Sequence, residues 1–333
     1  MVDRQQHLKQ VAELRKTFVD PCDGLIYHYT SVEGFKGIIE TSELWLTNTE
    51  FVNDTTECNT LQKEKNLFGK EELSFNRYLI KQWEIFSKKR NESHNYYIVS
   101  LSKVHDLLEQ WRSYGNICIG FDAKQLKRRG FYLYECVYNK EEIKKWILEK
   151  AKAKEWNLDE PDRSKDFMEG DIKIHQMLDG RTLAASELLF NASIKLKNDC
   201  YHNEKEVRLL AISSHDWKYE KSPSMYEEDP TIHFRMHPAL KVPVPYVKFF
   251  LSAEAEEEFK MTKNYNDKTE FQIKVEKRER EDEQQRALLP IQEIWIGPTP
   301  RKEEIRLACE ILLREKGYKI VSINISEIPY RGF

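Results

Sequence analysis

The sequence predicts an α+β fold with a mixed or antiparallel sheet at its core, and three observations predict it. Short runs rich in branched and aromatic residues recur, as in Asn95-Tyr-Tyr-Ile-Val-Ser-Leu-Ser102 and Glu206-Val-Arg-Leu-Leu-Ala-Ile-Ser213. Between them lie stretches whose apolar residues recur at helical spacing. The two kinds of segment do not alternate with the regular rhythm of a doubly wound parallel sheet.

In order along the chain, Leu8, Val11, Leu14 and Phe18 place an amphipathic helix over 5–18. It lies in an N-terminal segment, 1–24, ahead of one α+β domain over 25–333. Pro21 and Gly24 punctuate the entry to a first strand that runs through Leu25-Ile-Tyr into His28-Tyr29-Thr30. A short amphipathic helix follows over 32–40, and Leu44-Trp-Leu-Thr-Asn48 is the second strand. A helical region over 55–90, broken near Gly69, carries Phe75, Leu79, Trp83 and Phe86 on one face. Strands follow at 95–102, 117–121 and 131–138, with a short helix over 107–114 ended by Gly115. Residues 140–200, rich in Lys and Glu, form a mainly helical insertion with a break at Glu160-Pro161. Further strands are expected at 206–213, 232–236, 247–251 and 271–275, and the charged run 276–286 is a solvated face. Near the C-terminus, strand 291–297, a helix over 301–316 stopped by Gly317, and strand 318–323 close the domain.

Composition narrows the function classes. With 333 residues and 40% hydrophobic content the chain can bury a substantial core. Charged residues make up 33% but nearly cancel, to a formal net charge of -3, so no global attraction to nucleic acid follows. The six cysteines are scattered without a Cys-x-x-Cys pair, which predicts reduced thiols in a cytoplasmic protein, with no zinc site. The polar N-terminus has no apolar signal region, and no stretch predicts a membrane span. Phosphate-binding glycine loops of the Gly-x-x-x-x-Gly-Lys or Gly-x-Gly-x-x-Gly kind are missing, as are Gly-x-Ser-x-Gly and His-Glu-x-x-His.

Five groups of residues could carry chemistry. His28, Tyr29, Thr30 and Ser31 cluster an imidazole and three hydroxyls where a strand meets a helix, a set suited to sugar hydroxyls and an amide edge. The plainer alternative is a helix cap, from Thr30 or Ser31, with Glu33 or Glu40 serving the helix dipole. Asn53, Asp54 and Glu57 follow Phe51 in a polar loop, where such residues are usually turn and cap residues. Ser100 and Ser102 share one face of a strand through its period of two. Trp111 and Tyr114, three apart, share a helix face, as core or as a stacking surface for an aromatic ligand.

Glu204 and Glu206 are the most pointed pair. Two carboxylates at i and i+2 on a strand start point to the same side, and their repulsion is expected to raise one pKa, which suits acid–base work. A solvated edge neutralised by Arg208 is the alternative.

The series His28-Tyr-Thr-Ser, Phe51-x-Asn-Asp-x-x-Glu57, Ser100-x-Ser, Trp111-x-x-Tyr-Gly, Gly120-Phe, Glu204-x-Glu-x-Arg208 and Ile296-Gly-Pro resembles a widespread bacterial and phage family of unknown function, over about residues 25–325. More distantly, its order is similar to that of the ADP-ribosyltransferase superfamily. That resemblance implies the corresponding fold and NAD as substrate, with ADP-ribose passed to a protein or nucleic acid acceptor, or NAD hydrolysed outright. It implies that Glu206 holds the ribose 2′-hydroxyl, that Glu204 assists the acceptor nucleophile, and that His28 contacts a ribose. Tyr29, Thr30, Ser100, Ser102 and Arg208 would line the NAD site, Tyr114 would stack on nicotinamide, and Asn53, Asp54, Glu57 and Trp111 would support it. The sequence departs from the superfamily in having Ser-Leu-Ser for Ser-Thr-Ser, His28 beside a Glu-x-Glu, and Arg208. A defence or toxin role is implied by analogy. Two alternatives stand beside it: a non-catalytic nucleotide- or nucleic-acid-binding module, and a metal-dependent nuclease using the Asn53/Asp54/Glu57 and Glu204/Glu206 oxygens around magnesium.

Overall fold

A computed structural model describes residues 18–19, 21–52, 54, 58–64, 66–69, 77–86, 95–128, 130–153, 180–213, 230–237, 241–252 and 286–329. The expected helix over 5–18 up to residue 17, the break at Glu160-Pro161, strand 271–275 and the charged run 276–286 up to residue 285 lie outside these residues, as do Asn53 and Glu57.

The described chain runs β1 (Leu25–Thr30), α1 (Val32–Thr41), β2 (Leu44–Asn48), α2 (Thr60–Lys63), α3 (Arg77–Phe86), β3 (Asn95–Ser102), α4 (Leu108–Tyr114), β4 (Ile117–Asp122) and β5 (Phe131–Glu135). It continues with α5 (Lys140–Ala153), α6 (Gly180–Lys195), β6 (Glu206–Ser213), β7 (His233–Met236), β8 (Pro243–Phe249), β9 (Leu251–Ser252), β10 (Arg286–Ala287), β11 (Ile291–Ile296), α7 (Lys302–Glu315) and β12 (Ser322–Ile325). The fold is α+β, on a mixed sheet of mostly antiparallel strands. Among the described residues the parallel strand pair is β11 with β12, joined by α7.

The sheet forks at β3. One edge of β3 pairs with β6 along its whole length, from Asn95 opposite Ser213 to Ser102 opposite Glu206. Its other edge is shared: Ser102 meets Tyr27 of β1, whereas Ile98 and Tyr97 meet Thr47 and Asn48 of β2. Beyond Tyr27, β1 stays with β4, and β2 carries β8 and β7 outwards. The fork therefore opens beside Ser100 and His28.

Alternation along the strands assigns a core to each face. One face packs Ile26, Leu46, Val99 and Val207 under Phe35 and Ile39 of α1 and Cys309 and Leu313 of α7. The other packs Tyr96, Ile98 and Leu210 under Phe190 and Ile194 of α6. A separate helical core gathers Leu61, Leu79, Trp83, Ile143, Ile147 and Leu188 from α2, α3, α5 and α6. α2 and α3 are too short to be stable alone, so burial of one face against α5 and α6, not intrinsic propensity, holds them.

Boundaries differ from expectation where pairing ends. β5 stops at Glu135, since its partner register on β6 closes at Val207, and residue 137 instead bridges Leu196. β12 begins at Ser322 because Glu293 of β11 supplies its first partner there. β8 starts at Pro243, where it pairs with Met236 of β7.

Candidate functional site

The segment His28-Tyr-Thr-Ser is held by its turn. Ser31 caps α1, its hydroxyl accepting from Gly34 N–H at 3.1 Å, and Glu33 lies in the first turn. Glu40 does not serve that terminus; it pairs with Lys36 one turn back, at 2.6 Å. A Cβ on Gly34 would fall 2.1 Å from the Thr30 hydroxyl, so Thr30 sits directly against the helix start. Gly115 closes the other side. Its φ is +123°, and a Cβ there would meet backbone atoms of Thr30 and Ser31 at 2.7–2.9 Å.

Tyr29 is buried, with its ring edge-on to Trp111 at 4.7 Å. Its hydroxyl donates to Val104 O at 2.8 Å and accepts from Leu107 N–H at 3.1 Å, which ties β1 to the loop before α4. Trp111 is buried in the same cluster and donates its indole N–H to Asp106 at 2.7 Å. Tyr114 is 42% exposed. The expected shared face is thus divided: Trp111 is core, and Tyr114 stands in solvent at the helix end, where the chain turns away at Gly115.

His28 occupies the fork. Its Nδ1 lies 3.3 Å from the Ser100 carbonyl oxygen, which accepts but cannot donate, so Nδ1 carries the proton of a neutral ring. Nε2 is then an acceptor, fit for a hydroxyl. The ring's outer edge reaches solvent, yet enough protein packs round it for desolvation to lower its pKa, against the carbonyl's opposing pull.

Glu206 lies across β3 from the fork. In register, Tyr27, Ser102 and Glu206 sit side by side on one face, so alternation sends His28, next to Tyr27, towards the other. The Glu206 carboxylate is buried. Lys197 Nζ donates to its Oε2 at 2.5 Å, Arg208 Nη2 approaches the same oxygen at 3.5 Å, and the Cys136 thiol lies at 3.6 Å. Lys197 also donates to Glu204 Oε2, at 2.8 Å, and sits 4.8 Å over the Tyr201 ring. Arg208 is fully buried and donates Nη1 to Ile194 O of α6. Two cations thus offset two carboxylates in a nearly dry setting, the condition for tolerating buried charge.

The expected raised pKa is corrected here. Burial alone would push the Glu206 carboxyl up, but Arg208 and Lys197 outweigh it and bring it down to about 2. The two glutamates do not form a bare repelling pair. Glu204 ends a 3-10 turn, Asp199–Glu204, and Lys205 then turns left-handed at φ +43°, so Glu204 leaves the strand's alternation and Lys197 fits between the carboxylates.

The serines divide. Ser102 is buried, donating to Glu204 O at 2.7 Å and accepting from Val104 N–H at 2.9 Å. Ser100, opposite Arg208, is exposed. Its hydroxyl is near enough to help hold the Glu206 carboxyl down but closes no hydrogen bond of proper geometry on it, and Glu206 Oε1 stays buried without a partner. Asp54 lies in the loop after β2, whose second residue pair meets β3.

Lys197, Cys136 and Tyr138, whose hydroxyl accepts from Glu206 N–H at 2.7 Å, were not singled out from the sequence. Lys197 is placed by a short extended bridge: its N–H donates to Val137 O at 2.9 Å, and Lys195 O accepts from Val137 N–H at 2.8 Å. Within Lys195-Leu-Lys197 a solvated helix end is the ordinary reading, and no local pattern marks it otherwise. Among the described residues, no group of three or more His, Cys, Asp or Glu side chains could hold a metal ion. Nor, among them, is any helix long and apolar enough to cross a membrane.

Compared with family models, curated proteins and solved structures, the chain matches none.

Proposed function

We propose that the chain is an ADP-ribosyltransferase-like enzyme that cleaves NAD and passes ADP-ribose to a protein or nucleic acid acceptor, or to water. One observation carries this: the strands bearing His28, Ser100 and Glu206 are lateral neighbours, β1–β3–β6, and His28 reaches the Ser100 carbonyl where the sheet forks, although its side chain sets out from the face opposite Glu206. The strands that carry the motifs resembling the superfamily are thus neighbours, while His28 and Glu206 do not share a face of the sheet.

The chemistry follows from the side chains. The bond from nicotinamide nitrogen to ribose C1′ breaks, its electron pair leaving with neutral nicotinamide, and positive charge develops on the ribose. A carboxylate favours that charge only if it is ionised, and Arg208 and Lys197 keep Glu206 ionised down to about pH 2. Glu206 Oε1 is an acceptor left over for a ribose hydroxyl. Neutral His28 offers Nε2 to another hydroxyl only through the fork, since its side chain sets out from the face opposite Glu206. Glu204, nearer the surface, would take the proton of an attacking acceptor as its oxygen bonds C1′.

Nicotinamide release from NAD by the purified chain, with protein and nucleic acid acceptors, tests this. Release that falls on the order of a hundredfold to a thousandfold in Glu206→Gln supports it. Absence of release with every acceptor, or release unchanged in that variant, overturns it.

A second reading, a nucleotide-binding module without turnover, is favoured by one observation: the Glu206 side chain is only 1% exposed and already ion-paired. Thermal stabilisation by NAD with no nicotinamide released identifies that case.

A further inference from the structure

The helix between the two parallel strands carries an apolar stripe that the chain does not bury. α7 sets Ile305, Cys309, Leu312 and Leu313 against the sheet. Its other side presents Leu307, 57% exposed, and Ile311, 44% exposed, four residues apart and so on adjacent turns of one face. Glu304 and Arg314, both exposed, extend this stripe, three residues before Leu307 and three after Ile311. Spacings of three, four and three along Glu304, Leu307, Ile311 and Arg314 are those of a coiled-coil seam.

The charges of this helix fall into two sets. Beside the stripe, Arg306 is shared by Glu303 at 3.0 Å and Glu310 at 2.8 Å. On the stripe, Glu304 and Arg314 form no ion pair among the described residues. The helix dipole favours an acid in the first turn and a base in the last, but does not require either to fall in line with Leu307 and Ile311. Ten residues apart, the two stand about 15 Å from each other along the axis, one at each end of the apolar pair.

The stripe is its own complement when reversed. A second α7, laid antiparallel across a two-fold axis at the level of Cys309, brings Leu307 onto Ile311 of the other copy and Glu304 opposite Arg314, each contact made twice. Ala308, exposed beside the stripe at this level, is small and lets the two helices approach. A parallel pair would set Glu304 against Glu304 and Arg314 against Arg314, and a purely apolar partner would bury both charges unmatched. We propose that this stripe is a self-association surface, on which two copies of the chain pair through antiparallel α7 helices. About three turns of helix bury less than the ~1,000 Å² of a stable interface, so the dimer is weak and forms at high concentration. α7 covers the sheet face opposite Glu206, so pairing is independent of the function proposed above.

Sedimentation velocity of the full chain, from about 10 μM to about 1 mM, tests this. The expected result is a sedimentation coefficient that rises with concentration from monomer towards dimer. Ile311→Glu puts a carboxylate into both apolar layers and should weaken association more than about tenfold. Glu304→Arg and Arg314→Glu should each weaken it severalfold, because like charges then meet across the seam. The double variant Glu304→Arg/Arg314→Glu should restore it, and the two single variants mixed in equal amounts should pair with each other. These positions are exposed, and matching thermal unfolding of the variants shows that each is folded. A monomer at every concentration, association unchanged in Ile311→Glu, or charge reversals that the double variant does not recover overturns the proposal.

Discussion

Lys197 and Glu206, nine residues apart, meet at 2.5 Å in a setting where neither side chain is more than 6% exposed. A lysine with so little water is stable only beside its carboxylates, and Glu206 in turn depends on Lys197 and Arg208.

Removing one partner of this pair should therefore cost more than removing both. Lys197→Met is expected to destabilise the chain by about 3 kcal/mol, since it leaves Glu206 charged and half-matched. The double variant Lys197→Met/Glu206→Gln should recover at least about 1 kcal/mol relative to the sum of the single changes. Urea unfolding of the four proteins measures this; additivity within about 0.5 kcal/mol would show that the contact carries no coupling.

The same pair sets the acid limit of stability. The Glu206 pKa in the folded chain, about 2, lies below the ordinary value of 4.5 that the unfolded chain restores. Its contribution is complete above pH 4.5 and is lost as pH falls through that interval towards 2, where the unfolded state binds the proton first. Glu206→Gln should flatten this part of the stability-versus-pH curve relative to wild type. A parallel curve in the variant would contradict the assignment.

Gly115 should tolerate no side chain. Gly115→Ala places a Cβ under 3 Å from three backbone atoms of Thr30 and Ser31, at a left-handed φ. Nothing flexible can yield there, so the expected loss is about 2 kcal/mol or more, beyond the cost of φ alone. Gly37→Ala, where a Cβ meets nothing within 4 Å, is the control, and should be neutral or slightly stabilising in the same unfolding experiment.

Much of the frame was legible because its signals are local. The first strand, a cap from Thr30 or Ser31 and the strand over 95–102 rest on neighbouring residues; the chain forms both strands where expected, and Ser31 is the cap. The Glu204/Glu206 pair was misread because alternation was assumed to run back through Lys205, whose left-handed backbone breaks it. Lys197 was invisible for a different reason: its partners come from the strand start and from the bridge to Val137, relations set by tertiary packing. The division of Trp111 from Tyr114 likewise depends on which side β1 supplies with Tyr29.

The central claim is that NAD binds at the fork beside His28, and the His28 imidazole reports on it directly. At pH 7 the ring is neutral in the folded chain, because desolvation holds its pKa below 6.5. NMR of the imidazole nitrogens during titration with NAD should show a saturable shift at Nε2, with Nδ1 remaining the protonated nitrogen against the Ser100 carbonyl. An Nε2 resonance that stays unmoved at every NAD concentration would contradict the account.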